Sequence, residues 1–221
     1  MTLFTLLLLP VVVSLGFWQL SRGAEKRGME MDYLTQLTAL PLAAGEAQQP
    51  GRFQRIKLSG RYGDEIFLVD NQIYQGRTGY WIVQVFDDAS GLRFLVNRGF
   101  IEGPQLRSEL PAVATPTGEV EVIGTVWPFT GLIPVLDDDV WGAEWPKRVQ
   151  RLDIHRMAAS VGAVEHEIRL EPGQIGVQHA APFAAVLSDD KHLGYAATWF
   201  GLAAALLTGF AVFGIKNARP H

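Results

Sequence analysis

The chain has 221 residues, enough for one domain of ordinary size with appendages, and 48% of them are hydrophobic. Its net charge is −4 and it has no cluster of Lys and Arg suited to phosphates, so we expect no nucleic-acid partner. Cysteine is absent, which excludes disulfides, CxxC redox chemistry and thiolate metal sites. Apolar residues concentrate at both ends of the chain, and charged residues lie between them.

The first predicted element is an uncharged run from Leu3 to Leu20, LFTLLLLPVVVSLGFWQL. As a helix it would extend about 27 Å, close to the thickness of the hydrocarbon core. A cleaved signal peptide is the alternative, but the run lacks a basic n-region and a small-x-small cleavage site. It ends in Phe17, Trp18 and Gln19, which are typical of a membrane interface. We therefore expect a retained transmembrane helix over residues 1–21.

The next stretch, SRGAEKRGMEMDYLTQLTALPL, predicts a stalk helix over residues 22–42 that Pro41 ends. Strand-like runs separated by turn residues follow at short intervals. They lie at 52–62, 66–74, 79–88, 92–101 and 118–127, and EHEIRLEP at 165–172 supplies a last strand. DIHRMAASVG predicts a short helix with Asp153 as N-cap and Gly162 just past its end. We expect residues 50–185 to form an α+β domain, mostly antiparallel sheet or partial β-barrel.

A long loop is predicted between Trp127 and Lys147, in the segment WPFTGLIPVLDDDVWGAEWPK. Its three tryptophans would lie on a membrane surface or a partner, or fold back as a lid on the sheet. We favour the lid, because aromatic side chains most often contribute to a core. The aspartates at 137–139 lack the D-x-D-x-D-G spacing of a calcium loop and predict a solvated acidic turn.

A second predicted transmembrane helix occupies residues 190–216, with its apolar run from Leu193 to Ile215 and a tail at 217–221. Two cations follow the run and two aspartates precede it: Lys216, Arg219, Asp189 and Asp190. This distribution places the C-terminus in the cytoplasm. Two spans then put both termini in the cytoplasm and the central domain in the periplasm.

The cations after the first span, Arg22, Lys26 and Arg27, favour the opposite orientation. We give them less weight, because a segment as long as residues 21–191 is translocated largely regardless of its charges.

Enzyme signatures are missing, since the sequence has no GxSxG, HExxH, P-loop or Rossmann fingerprint. His155, His166 and His179 show no i,i+3 or i,i+4 spacing, and we favour isolated surface histidines over a metal site. We therefore expect a protein that is not an enzyme. A membrane-tethered enzyme that uses these histidines is the minority alternative.

His192 stands at the mouth of the second span, where an ionisable group is a functional-site hypothesis. On a helix it shares a face with Tyr195 and Trp199. A ridge of small residues occupies a different face and is suited to close helix packing: Ala197, Gly201, Ala205 and Gly209. Because the first span ends near Gln19, we expect Arg22 at about the depth of His192.

A membrane-side haem would use these residues: the imidazole for the iron, the rings to cover the macrocycle, and Arg22 or Lys191 for the propionates. The alternative is an interfacial histidine within an ordinary aromatic belt. The spacing of His192, Tyr195 and Trp199 alone favours the aromatic belt over a haem site.

Five segments together resemble the Surfeit locus protein 1 family of cytochrome c oxidase assembly factors. They are GFWQL at 16–20 with Arg22 and Lys26, Gly79-Tyr80, LVNRGF at 95–100, Asp153 with Met157-Ala158, and HLGYA at 192–196 with TWF at 198–200. They occur in one order over nearly the whole chain. Phe100 stands where the family usually has Trp, which keeps an aromatic ring.

The resemblance implies a role in oxidase assembly: binding haem a and helping to insert it into cytochrome c oxidase subunit I. His192 matches the proposed haem ligand of bacterial members, and Tyr195, Trp199 and Arg22 would complete the site. The implied location is the inner (plasma) membrane, and a haem a synthase is a further candidate partner. The main alternative is a scaffold that holds an oxidase subunit through the Gly201 ridge and the turn at Asn97-Arg98-Gly99, without binding haem. A structural role for this turn has equal weight, with Gly99 at a backbone bend and Arg98 making internal hydrogen bonds.

Overall fold

The computed structural model describes residues 2–46, 49–128, 131, 140–180 and 189–217. Its contacts divide the chain into two compact units. One comprises Met1–Asp32 and Pro182–His221, and the other is Tyr33–Ala181. The predicted acidic turn at 137–139 and the predicted tail beyond Asn217 lie outside the described residues.

Two of the described helices are long and apolar enough to cross a membrane, and they indicate membrane association. Helix α1 spans Thr2–Leu37 and contains Pro10, and helix α3 spans Asp190–Asn217. Because α1 is continuous, the predicted first span and stalk form one helix, which ends four residues before Pro41. A helix end before a proline is expected, because the proline ring disfavours helical backbone in the preceding residue.

The second unit is built on a mixed sheet. Its elements, in chain order, are β1 Leu42–Ala43, a 3-10 turn Ala44–Glu46, β2 Arg55–Tyr74, β3 Arg77–Asp88, β4 Arg93–Glu102, β5 Val120–Trp127, β6 Lys147–Val149, α2 Ile154–Val161 and β7 Glu167–Leu170. The long strands pair antiparallel, whereas β1, β6 and β7 add parallel pairs on β2 and β4. The predicted α+β domain with a mostly antiparallel sheet or partial barrel is confirmed.

Strand β2 bends the sheet back toward itself. The predicted strands at 52–62 and 66–74 are one strand, with a register shift between Tyr62 and Ile66. Its first part pairs with β5 and its second part with β3, and Gly60 is paired in both ladders. A side chain at Gly60 would collide with the backbone at Asp87, so glycine allows the close approach.

Helix α2 is capped as its sequence predicts. The Asp153 carboxylate accepts a hydrogen bond from the Arg156 backbone N–H at 3.1 Å. Gly162 ends the helix in the left-handed conformation, with φ of 66°. The helix buries Met157 and Ala158 against the sheet.

The tryptophans of the long loop fold back onto the sheet, as predicted for a lid. The Phe67 ring centroid lies 5.4 Å from that of Trp141 and 4.9 Å from that of Trp145. The Arg156 guanidinium lies over the Trp141 ring at 3.9 Å, and the Lys147 ammonium lies over the Trp145 ring at 4.4 Å. The parallel strand β6 follows this lid; we did not predict it, because three residues show no alternation.

Arg98 is the largest fully buried side chain, and within the described residues its hydrogen-bond partners are neutral. Its guanidinium donates to the Gln84 side-chain oxygen, to the Gly176 carbonyl at 2.8 Å and to the Ala114 carbonyl at 2.6 Å. It also lies 4.9 Å from the centre of the Tyr62 ring. Arg98 therefore ties two connecting segments to β4.

Burial sets the pKa of both groups in this contact. It lowers the pKa of Arg98, an effect that the nearby Tyr62 opposes. It raises the pKa of Tyr62 to about 12 although Arg98 acts in the other direction.

Asn97 and Gly99 share this structural role. Asn97 donates to Glu167 at 2.7 Å and accepts from the Gly99 backbone N–H at 2.9 Å. Gly99 has φ of 94°, and a side chain there would collide with the His179 carbonyl. Of the two interpretations of Asn97-Arg98-Gly99, the structure agrees with the structural one, because the motif lies inside β4 with Asn97 and Arg98 buried and is not a turn that presents them to a partner.

We expect Arg98→Met to lower the free energy of unfolding by about 2–3 kcal/mol, because it leaves the buried Gln84 oxygen and two part-buried carbonyls without their donor. Urea unfolding of the full-length protein in mild detergent, followed by near-UV circular dichroism, measures the change. Arg61→Met is the matched control, since Arg61 is exposed on β2 and should change stability by less than about 0.5 kcal/mol. Equal effects of the two substitutions would contradict the role of Arg98.

Candidate functional site

Helices α1 and α3 pack through small residues on α1. A side chain at Gly16 would lie 2.7 Å from the Phe200 ring, so the ring sits directly on the α1 backbone. Phe17 and Phe200 also make an edge-to-face contact with ring centroids 5.4 Å apart. The buried residues of the two helices mark the interface: Thr5, Val12, Gly16 and Gly23 on α1, with Ala196 and Ala203 on α3.

His192 lies in the first turn of α3 and faces α1. Its Nδ1 is 2.8 Å from Oε1 of Gln19. A Cβ built on Gly23, one turn further along α1, would lie 3.6 Å from the His192 Cβ, an ordinary contact distance. The imidazole is half-buried, and its Nε2 makes no hydrogen bond to any residue that the structure describes.

Tyr195 and Trp199 flank the histidine as the helical spacing predicts. Tyr195 is 59% exposed and Trp199 is half-buried. Because Tyr195 lies about 60° around the helix from His192, its ring is on the open flank of the helix pair. The structure therefore brings together an imidazole and two aromatic rings on one side of α3.

The predicted cations are arranged differently. Arg22 donates to Glu25 of its own helix at 2.6 Å, and both side chains are about half exposed. Lys191 is exposed. His192 contacts Gln19 and lies beside Gly23 on α1, and Arg22 lies between these two residues in sequence. Arg22 is therefore close to the level of His192 along the helix pair, with its guanidinium on Glu25.

A second polar contact joins the same two helices. Arg27 pairs with Asp189, the residue that precedes α3 and accepts the backbone hydrogen bonds of its first turn. Gln19, Gly23 and Arg27 recur every fourth residue and therefore form one stripe on α1. Contacts with this stripe fix the position along α1 at which α3 begins.

The small-residue ridge of α3 does not form this interface. Ala197, Gly201, Ala205 and Gly209 are exposed, and a Cβ on either glycine would meet no atom of the described residues within 4 Å. The face that packs on α1 carries His192, Ala196 and Ala203 instead. The larger side chains of Phe200 and His192 on α3 fit against α1 because Gly16 and Gly23 face them.

Sequence reasoning missed Gln19, Gly16 and Gly23 as site residues. The available signal was the spacing of seven, four and seven residues between Thr5, Val12, Gly16 and Gly23, which is the repeat of a packed helical seam. The α1 pattern and the four-residue ridge of α3 both predict close helix packing, but only the α1 pattern lies at the interface between the two helices.

The half-buried imidazole fits an iron ligand. One nitrogen is held by a neighbouring side chain and the other is open, which is the usual arrangement of metal-binding histidines in proteins.

The other predicted histidines do not assemble into a site. His155 is 2.9 Å from a Glu165 oxygen, and the His179 ring stacks on Tyr74 with centroids 5.9 Å apart. Among the described residues, no group of three or more His, Asp or Glu side chains is placed to hold a metal ion. His155 and His166 are both close enough to Glu165 to interact with it, whereas His179 lies on Tyr74.

His166 should make the stability of the domain depend on pH. Burial lowers its pKa below the ordinary 6.5; Glu165 opposes this and His155 adds to it. The folded state prefers neutral His166, so its contribution is fully present above pH 6.5 and is lost as pH falls through the lowered pKa. We expect a smaller loss of stability between pH 7 and about pH 5 for His166→Asn than for wild type, measured by urea unfolding. Equal losses would contradict this role.

We expect Gly16→Val to destabilise the helix pair by about 1–3 kcal/mol, because the added methyl groups enter the space of the Phe200 ring. Unfolding in mixed detergent micelles measures the change. Gly28→Ala on the same helix is the control, since nothing lies within 4 Å of that position and the helix should gain stability. Adding Phe200→Ala to Gly16→Val should recover part of the loss; if it does not, Gly16 acts elsewhere.

Comparison with known proteins identifies the family. The SURF1 family matches residues 6–204. A SURF1-like protein of Rickettsia felis is 27% identical over 96% of this chain and 95% of its own length. Surfeit locus protein 1 of Takifugu rubripes is 27% identical over 91% of this chain and 92% of its own. The human Surfeit locus protein 1 is 25% identical over 91% of this chain and 74% of its own. The chain belongs to the SURF1 family.

Proposed function

We propose that this protein is an assembly factor for haem–copper cytochrome c oxidase that binds haem a through His192 and assists its insertion into subunit I. The family is known for oxidase assembly, and its match runs from α1 through the sheet domain into α3, as far as residue 204. The observation that carries the haem proposal is the half-buried His192, held through Nδ1 with Nε2 open.

Different residues of the site would bind different parts of haem a. His192 Nε2 would take the iron, and the rings of Tyr195 and Trp199 would lie beside the macrocycle. The exposed Lys191, together with Arg22, would pair with the propionates, although Arg22 must then share its guanidinium with Glu25. Attachment through one histidine gives a modest affinity, which suits a carrier that releases its cargo.

The proposed topology follows from charge. Lys216 lies at the end of α3 and Asp190 in its first turn, which favours a cytoplasmic C-terminus. Two spans then leave both termini in the cytoplasm of an inner-membrane protein and the sheet domain in the periplasm. Subunit I is the proposed recipient of the haem, and a haem a synthase is the proposed donor. The role is not enzymatic.

A scaffold that holds an oxidase subunit without haem is the second candidate. The observation in its favour is the exposed ridge at Ala197, Gly201, Ala205 and Gly209, which can accept another helix closely. Its other proposed contact, Asn97-Arg98, is buried and cannot reach a partner. The scaffold therefore depends on α3 alone.

We expect His192→Ala to abolish the haem a spectrum of the protein purified in detergent from cells that make haem a. Wild type should show the Soret and α bands of haem a, because its imidazole supplies the axial ligand. His155→Ala is the matched control, since it removes a surface imidazole of the other unit and should leave the spectrum unchanged. A colourless wild type, or a variant with the full spectrum, would favour the scaffold.

A further inference from the structure

We propose that Gln19 is a positioning residue that fixes the tautomer and the ring orientation of His192, so that Nε2 is the nitrogen presented to the ligand. The proposal rests on the proposed function only in taking haem iron as that ligand. Its basis is the contact of 2.8 Å between Gln19 Oε1 and His192 Nδ1. The two residues lie on different helices and are separated by 173 positions in sequence.

The chemistry of the two groups determines which nitrogen carries the proton. The amide oxygen of Gln19 can only accept a hydrogen bond, so Nδ1 of His192 must donate. Neutral imidazole has one N–H, and placing it on Nδ1 leaves the lone pair on Nε2. A metal binds that lone pair, so the hydrogen bond prepares Nε2 before any ligand arrives.

Helix packing fixes the distance at which this hydrogen bond forms. Phe200 on Gly16 and the Arg27–Asp189 pair hold α1 and α3 on either side of the Gln19 level. His192 is half-buried there, and reduced access to water strengthens a hydrogen bond between side chains. The imidazole therefore cannot rotate freely without losing a partner.

A neutral acceptor also matches a site that must release its ligand. A carboxylate that accepts from Nδ1–H raises the basicity of the other nitrogen and tightens metal binding. An amide oxygen polarises the ring less because it carries no net charge. Gln19 thus orients His192 while leaving the bond to iron weaker than a carboxylate would make it.

The tautomer is tested first without haem. Full-length protein with 15N-labelled histidine is studied by NMR in detergent as wild type, Gln19→Leu, Gln19→Glu and Gln36→Leu. We expect a protonated Nδ1 and a bare Nε2 at His192 in wild type, Gln19→Glu and Gln36→Leu. Gln19→Leu should lose this preference. Gln36→Leu makes the same change on α1, 17 positions from Gln19.

Haem binding is tested next on the same four proteins by titration with haem a. Loss of a residue that orients a metal ligand typically lowers metal affinity by 10–100-fold, and we expect about this loss for Gln19→Leu. Gln36→Leu should bind as wild type, and Gln19→Glu should bind at least as tightly. This rescue excludes a general failure to fold.

The outcomes separate the two proposals. A protonated Nε2 in wild type, or an unchanged tautomer in Gln19→Leu, would overturn the role of Gln19. Equal haem affinity in wild type and Gln19→Leu would overturn its role toward the ligand. If wild type binds no haem while its tautomer follows Gln19, the proposed function fails and the hydrogen bond to His192 stands.

Discussion

The contact of Phe200 with the bare backbone at Gly16 is the constraint on which the candidate site depends. It lets α1 and α3 approach closely enough for Gln19 to meet His192, because a glutamine side chain reaches only a few ångströms. The Arg27–Asp189 pair adds a fixed point at the start of α3. Two helices joined by a whole domain are thus held in a defined register by a few contacts between them.

The family segments serve two distinct purposes. Asn97, Arg98 and Gly99 lie in the sheet, where Asn97 donates to Glu167 and Arg98 donates to the carbonyls of two connecting segments. His192 lies at the helix pair and keeps one ring nitrogen open. Both segments contribute to the sequence resemblance, but they differ in burial. Asn97 and Arg98 are buried and stabilise the domain, whereas His192 is half-buried and its Nε2 is open.

Local signals predicted the fold well, and long-range contacts escaped prediction. Asp153 and Gly162 specify their helix through capping, and strand-like runs between turn residues located β3, β4 and β5 within two residues. The join of two predicted strands into β2 depends on pairing with β5, which no local pattern records. For the same reason His192 was identified from its position, whereas its contact with Gln19 required the packed helices.

Helix geometry further indicates that cargo binding and partner binding need not compete. At 100° per residue, Gly201 lies about 180° around α3 from His192, whereas Tyr195 lies about 60° from it. The middle of the open ridge, at Gly201, therefore lies on the side of α3 opposite the imidazole. Under the proposed function the protein would hold haem and an oxidase subunit together, and two separate sides of α3 would allow this. The exposed ridge is thus compatible with the carrier as well as with the scaffold, and only the side bearing His192 distinguishes them.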